Sequence, residues 1–331
     1  MKHTHVAILT VIFIAIIVGI SCKKNGNYNN TGTSVPLNQL FSDLKTSPQN
    51  FSVIAGKSQT IIGSDSTAIN FYPNSFKDKN GNIITSGTVD IQLIEMYGPG
   101  SMIANHTSAT AVGSLIQSAG QINIVASMNG QEVYANKYGI ALKQKSYSSK
   151  QMELYYGANS GPDSMTTWSV ADTTKNGTKA YITRRDSVQT KDTTIHYNLW
   201  ANTYYLFDSC TTFKWVNGDH FYGDSAIIAT VIINLSDNTF TDANTEVFIV
   251  YPAINSTQTF HGTYNSANKT FINTHQNLPK GQNMDIVVIA NKAGSYYYYQ
   301  QTGIPVSANI TVNAAMVNDT RGDVVARLHG L

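Results

Sequence analysis

The sequence predicts an all-β fold made of tandem antiparallel β-sandwich domains. Three observations predict it. Short segments rich in Ile, Val, Thr and Tyr recur along the chain with apolar and polar residues alternating, the period of a half-buried strand. Asp outnumbers Glu by 16 to 4, and Asp bends and caps the backbone where Glu favours helix interiors. Asn-Gly pairs at Asn80-Gly81 and Asn129-Gly130 sit between such segments, the strongest short hairpin signal. Composition excludes other classes. With 42% hydrophobic and 13% charged residues among 331, the chain is too apolar for disorder and too poor in charge for a coiled coil. With 22 basic against 20 acidic residues, no nucleic-acid partner is expected.

Taken in order, Met1–His5 is short and basic, and Val6–Ile20 is an uncharged apolar run of 15 residues. That is shorter than the roughly 20 residues of a spanning helix, and it fits a signal peptide. Gly19-Ile20-Ser21-Cys22 resembles the lipobox of bacterial lipoproteins, and Ser21-Cys22-Lys23-Lys24 is similar to lipoproteins of the Bacteroidetes. The resemblance implies removal of residues 1–21 and acylation of Cys22, with several acyl chains at about 0.8 kcal/mol per buried CH2 making a stable membrane anchor. It implies an outer-membrane lipoprotein. Lys23–Asn27 lacks the acidic residues of surface-exported relatives, so the periplasmic face is favoured. Acylation of Cys22 leaves Cys210 without a disulfide partner.

Residues 22–49 read as a flexible Asn/Gly/Thr-rich tether with one short helix over Leu37–Leu44, where apolar residues fall at i, i+3, i+4 and i+7. Predicted strands follow near 51–55, 66–72, 87–96, 121–127 and 139–144, and near 194–207, 225–235, 245–250, 285–290 and 307–312. A boundary at 147–150 separates a first sandwich (50–145) from a β-rich middle region (151–224), which holds Trp168, Trp200 and Trp215, and from a C-terminal sandwich (225–320).

Ile54-Ala55-Gly56, Phe71-x-Pro73-Asn74-Ser75-Phe76, Asp78-x-Asn80-Gly81-Asn82, Gly87–Glu95 and Ser118–Ile122 carry a second resemblance. Residues 51–143 look like a ZU5-like β-sandwich domain that recurs in Bacteroidetes lipoproteins of unknown function. The later strands are expected to form an Ig- or transthyretin-like sandwich. The resemblance implies a fold and brings no catalytic set.

Candidate sites are few. Asp-Ser/Thr triplets mark Ser66, Ser164, Thr173, Ser187, Thr193 and Ser225 as candidate O-glycan acceptors, since they resemble the acceptor triplet of exported Bacteroidetes proteins. Tyr296, Tyr297, Tyr298 and Tyr299 alternate across a strand, and aromatic rings beside Gln are candidate glycan contacts. Asp78, Asn80 and Asn82 sit at alternate positions as in a calcium loop, but no Glu follows at ligand spacing, so a hairpin turn is expected. His106-Thr107-Ser108 has the form of a self-cleaving site, where a strained bond would be needed; a polar loop is the plainer expectation. No metal site, cofactor or catalytic set is expected. The reading is a non-catalytic cell-envelope lipoprotein that presents β-sandwich domains for binding or envelope assembly, with the membrane, envelope proteins and glycans as partners. A carbohydrate-binding lipoprotein is the first alternative and a hydrolytic enzyme the second.

Overall fold

Alternation in Thr88–Met96 sends Val89, Ile91 and Leu93 to one face, and that face begins the first core. The computed structural model describes residues 37–111, 114–143, 152–158, 166–171, 179–180, 182–183, 204–223, 226–260 and 262–331. Within them the chain is all-β. A nine-stranded sheet places Gln49–Ile54, Thr88–Met96, Ser114–Met128, Lys214–Phe221, Met152–Ala158, Thr166–Val170 and Thr107–Ala111 side by side in that order. A five-stranded sheet, with Tyr204–Cys210, Tyr138–Lys143, Ala68–Phe71 and Gln59–Ile62 as its longer members, lies across the same core. Ile91, Leu93, Ile122, Ile124 and Leu154 from one sheet meet Ile69, Phe71, Ile140, Leu142 and Phe207 from the other.

This corrects the expected boundary. Strands from both sides of 147–150 share both sheets, so 50–145 and 151–224 build one sandwich rather than two successive domains. A second correction concerns strand direction. Thr166–Val170 runs parallel to Thr107–Ala111, and Ala226–Leu235 runs parallel to Asn309–Ala314, in sheets that are otherwise antiparallel.

The C-terminal strands form two further sheets. One orders Thr263–Asn265, Thr270–Pro279, Ala226–Leu235 and Asn309–Ala314; the other orders Ser256–Thr259, Thr245–Tyr251, Asn283–Lys292, Ser295–Pro305 and Val317–Asp319. Val231, Ile233 and Val312 from the first meet Val247, Ile249 and Val288 from the second. Asn283–Lys292 is apolar almost throughout because both of its faces are buried. Its second face is covered by helix α1 (Leu37–Leu44) and by helix α3 (Arg321–His329), with α2 (Pro99–Ala104) beside them.

Helix α1 buries Leu40, Phe41 and Leu44 against Phe248, Val250, Val287 and Ile289. Tyr296 Oη donates to Asp43 Oδ2 at 2.9 Å, and Arg321 Nε donates to the Asp43 carbonyl. Helix α3, which no sequence pattern announced, opens on a capping box. Thr320 Oγ1 accepts from the Asp323 amide at 3.1 Å, and Asp323 Oδ2 accepts from the Thr320 amide at 3.2 Å. Gly100 lets α2 approach α3, since a Cβ there would lie 1.6 Å from the Leu328 carbonyl oxygen.

The two sandwiches meet along a polar seam. Asn255 Nδ2 donates to the Ser118 carbonyl at 2.9 Å, and Ser256 Oγ donates to the Ala109 carbonyl at 3.4 Å. His106 Nε2 lies 3.2 Å from Glu246 Oε2, and the His106 ring stacks on Phe41 with centroids 4.1 Å apart. The described residues, from Leu37 on, all belong to one compact unit. Among the described residues no helix is long and apolar enough to cross a membrane.

Candidate functional site

Glu95 follows Val89, Ile91 and Leu93 at the same alternation, so the strand carries a carboxylate to the core face, where it is 5% exposed. A buried charge needs compensation. Glu95 Oε2 accepts from Gln49 Nε2 and from the Asp65 amide, both at 2.9 Å, and Oε1 accepts from the Thr67 amide at 2.9 Å. Gly63 gives the carboxylate its room, because a Cβ there would stand 2.2 Å from it. Glu95 thus ties down the loop 63–67, in which Ser66 adopts a left-handed φ of 76°. Tyr97 Oη accepts from the Lys143 amide at 3.0 Å and is hydrogen-bonded to Thr67 Oγ1 at 2.8 Å. Burial pushes the Tyr97 phenol above its ordinary range.

Beside this loop lies an open cavity of 480 Å³, lined by Ser64, Ser66, Tyr97, Ser101, Lys143 and His329 among others. Ser66 is half-buried there. The remaining candidate acceptors (Ser164, Thr173, Ser187, Thr193 and Ser225) lie outside the described residues, as does Cys22.

The tyrosine run lies in Ser295–Pro305, with each face packed against neighbours and partly open. Tyr297 and Tyr299 pack into the sandwich core, while Tyr296 and Tyr298 pack under the helices. Phe240 meets Tyr297 edge-on at 5.0 Å, and the Arg327 guanidinium covers Tyr298 at 5.5 Å. Tyr299 Oη donates to Gln301 Oε1 at 3.0 Å. All four rings pack against neighbours, Tyr298 buried and the other three half-buried, and Tyr298 and Tyr299 also line an open groove with Gln300 and Arg327.

The other candidates also resolve into local structure. Asp78 Oδ1 accepts from the amides of Asn80 and Asn82 at 2.8 and 2.9 Å, an Asx turn. Side-chain and backbone hydrogen bonds from Asn82 hold its carboxyl below the usual range. Ser108 lies in the regular strand Thr107–Ala111, its hydroxyl 3.0 Å from Thr110 Oγ1, while the His106 ring is engaged by Glu246 and Phe41. Cys210 is buried, and burial pushes its thiol far above the usual range. Among the described residues no three His, Cys, Asp or Glu converge on a metal-sized site.

Asp219 is the most unusual titratable group. It is fully buried, accepts from Asn217 Nδ2 through Oδ2, and among the described residues Oδ1 meets no hydrogen-bond donor. Burial pushes its carboxyl well above the usual range. Below about pH 4 the carboxyl is protonated in both the folded and the unfolded chain. As pH rises further, the unfolded chain ionises first, so stability falls until the folded carboxyl also ionises. Asp219→Asn cannot ionise. Urea midpoints are therefore expected to be higher for the variant at pH 8 and to converge with the parent chain at pH 3; a constant gap at both pH values would contradict this.

Sequence reasoning missed Glu95 and Asp219 as buried acids. For Glu95 the signal was present in T-V-D-I-Q-L-I-E, where period two places it with the core residues. A scan against family models finds no match, and no curated protein matches the chain.

Proposed function

We propose that the chain is a non-catalytic cell-envelope lipoprotein that presents a rigid β-sandwich body for binding or envelope assembly. In this reading a lipid at Cys22 holds it to the outer membrane, on the periplasmic face, and O-glycans occupy acceptors among Ser66 and its fellow triplets. The ZU5-like resemblance of residues 51–143 supplies the first half of the body, and strands from 152–221 complete its sheets. An Ig- or transthyretin-like module follows.

The observation that carries the proposal is the docking of α1. It is the first described element after the tether, and it is clamped to the body by Leu40, Phe41, Leu44 and the Asp43–Tyr296 hydrogen bond. From Cys22 to Leu37 is 15 residues, at most about 50 Å of extended chain. An anchor at Cys22 would thus join a short leash to a locked body, which suits presentation. Glu95 and His106 are held by structural partners, which also favours a non-catalytic role.

Metabolic labelling with an alkyne-tagged palmitate in the native host tests the anchor. The parent chain is expected to carry label and to fractionate with the outer membrane, and Cys22→Ser to lose both. Label retained by the variant, or a parent chain without label, would overturn the proposal.

A further inference from the structure

The first sheet has a second face, and over residues 50–54, 88–92 and 125–127 that face is open, while further along it Ile94 and Met96 are buried. Residues that alternate with the core point there: Asn50 and Ser52, Asp90 and Gln92, Val125 and Ser127. Strand register arranges them in rows. Asn50, Gln92 and Val125 lie side by side, and Ser52, Asp90 and Ser127 form the next row. These six side chains line a groove of 460 Å³, within the size range of small-ligand sites. In the row on the other side, Asn123 is paired with Trp215, whose indole is half-buried.

The chemistry of the groove selects its occupant. Gln92 Nε2 donates to Asn50 Oδ1 at 3.3 Å, and Ser52 Oγ donates to Asp90 Oδ1 at 2.8 Å. Asn50 Nδ2, Gln92 Oε1 and Asp90 Oδ2 keep no partner among the described residues. Donors and acceptors stand together, as vicinal hydroxyls require, since each hydroxyl both gives and takes a hydrogen bond. No lining residue is cationic and one is a carboxylate, so an anionic ligand would meet repulsion without a counter-charge. Val125, 39% exposed, is the only open aliphatic surface among these six side chains. Three strands about 4.8 Å apart, each contributing two side chains, expose far less than the roughly 800 Å² per partner of a stable protein interface. A thin, uncharged, hydroxyl-rich chain fits these limits.

We infer that this groove binds a neutral oligosaccharide, held by Asn50, Asp90 and Gln92. The inference rests on the reading of the chain as a binding protein and names the ligand class and the surface. The test is an array of neutral and acidic glycans probed with the lipidated chain in detergent, followed by calorimetric titration of the best-retained glycan. Neutral glycans are expected to be retained over acidic ones. The double variant Asn50→Ala/Gln92→Ala should bind at least about tenfold more weakly with unchanged melting, because both side chains are exposed. An empty array, preference for acidic glycans, or affinity untouched by the double variant would overturn the inference. A protein partner recovered by cross-linking in the envelope beside an empty array would overturn the glycan site alone and leave the binding role in place.

Discussion

Phe41→Ala is expected to destabilise the folded chain by about 3–5 kcal/mol, the range for truncating a buried aromatic. Phe41 is 4% exposed and joins three elements. It stacks on His106 at 4.1 Å, meets Phe248 edge-on at 5.8 Å, and shares a cluster with Val324 and Leu328 of α3. Alanine would leave a cavity where α1, the seam and the second sandwich meet. It would also remove the ring that backs His106 beside Glu246. Urea unfolding measures the loss. A cost below about 1 kcal/mol, typical of a surface change, would mean that α1 does not clamp the body.

Glu95→Ala should cost on the order of 3 kcal/mol, because each buried donor left without its acceptor carries about 1–3 kcal/mol. Gln49 Nε2 and the amides of Asp65 and Thr67 all lose their acceptor together. The loop 63–67, with Ser66 at its left-handed φ, loses the group that pins it. Hydrogen exchange should then accelerate at the Asp65 and Thr67 amides before other amides of the sandwich. Unchanged protection at those two positions would show that the loop holds its shape without the carboxylate.

The all-β class was legible because it rests on local signals. Alternation in Thr88–Met96 and the left-handed Asn129-Gly130 pair, with φ of 51° and 74°, need only their neighbours in sequence. Helix α1 was legible for the same reason, its four apolar positions lying on one stripe. Sheet membership was not. Lys214–Phe221 pairs with Ser114–Met128, nearly a hundred residues away, and no local pattern announces a partner at that distance. Hence a plausible loop at 147–150 suggested a domain boundary where the sheets run on. Helix α3 escaped because its nine residues bury only Val324 and Leu328 and include Gly322, too little for a visible stripe. The tyrosine run shows the same limit. Alternation separated the pairs Tyr296/Tyr298 and Tyr297/Tyr299, but what covers each face comes from α1, α3 and the opposing sheet. Asp219 shows the same limit, since its burial comes from strands distant in sequence and nothing beside it marks a buried acid.

The two sandwiches are expected to unfold as one body rather than as independent modules. Differential scanning calorimetry of the intact chain tests it most directly. A single endotherm is predicted, with calorimetric and van't Hoff enthalpies in agreement, because the seam at Asn255, Ser256 and His106–Glu246 and the clamp of α1 couple both sandwiches. Two resolved endotherms, one for each sandwich, would contradict it.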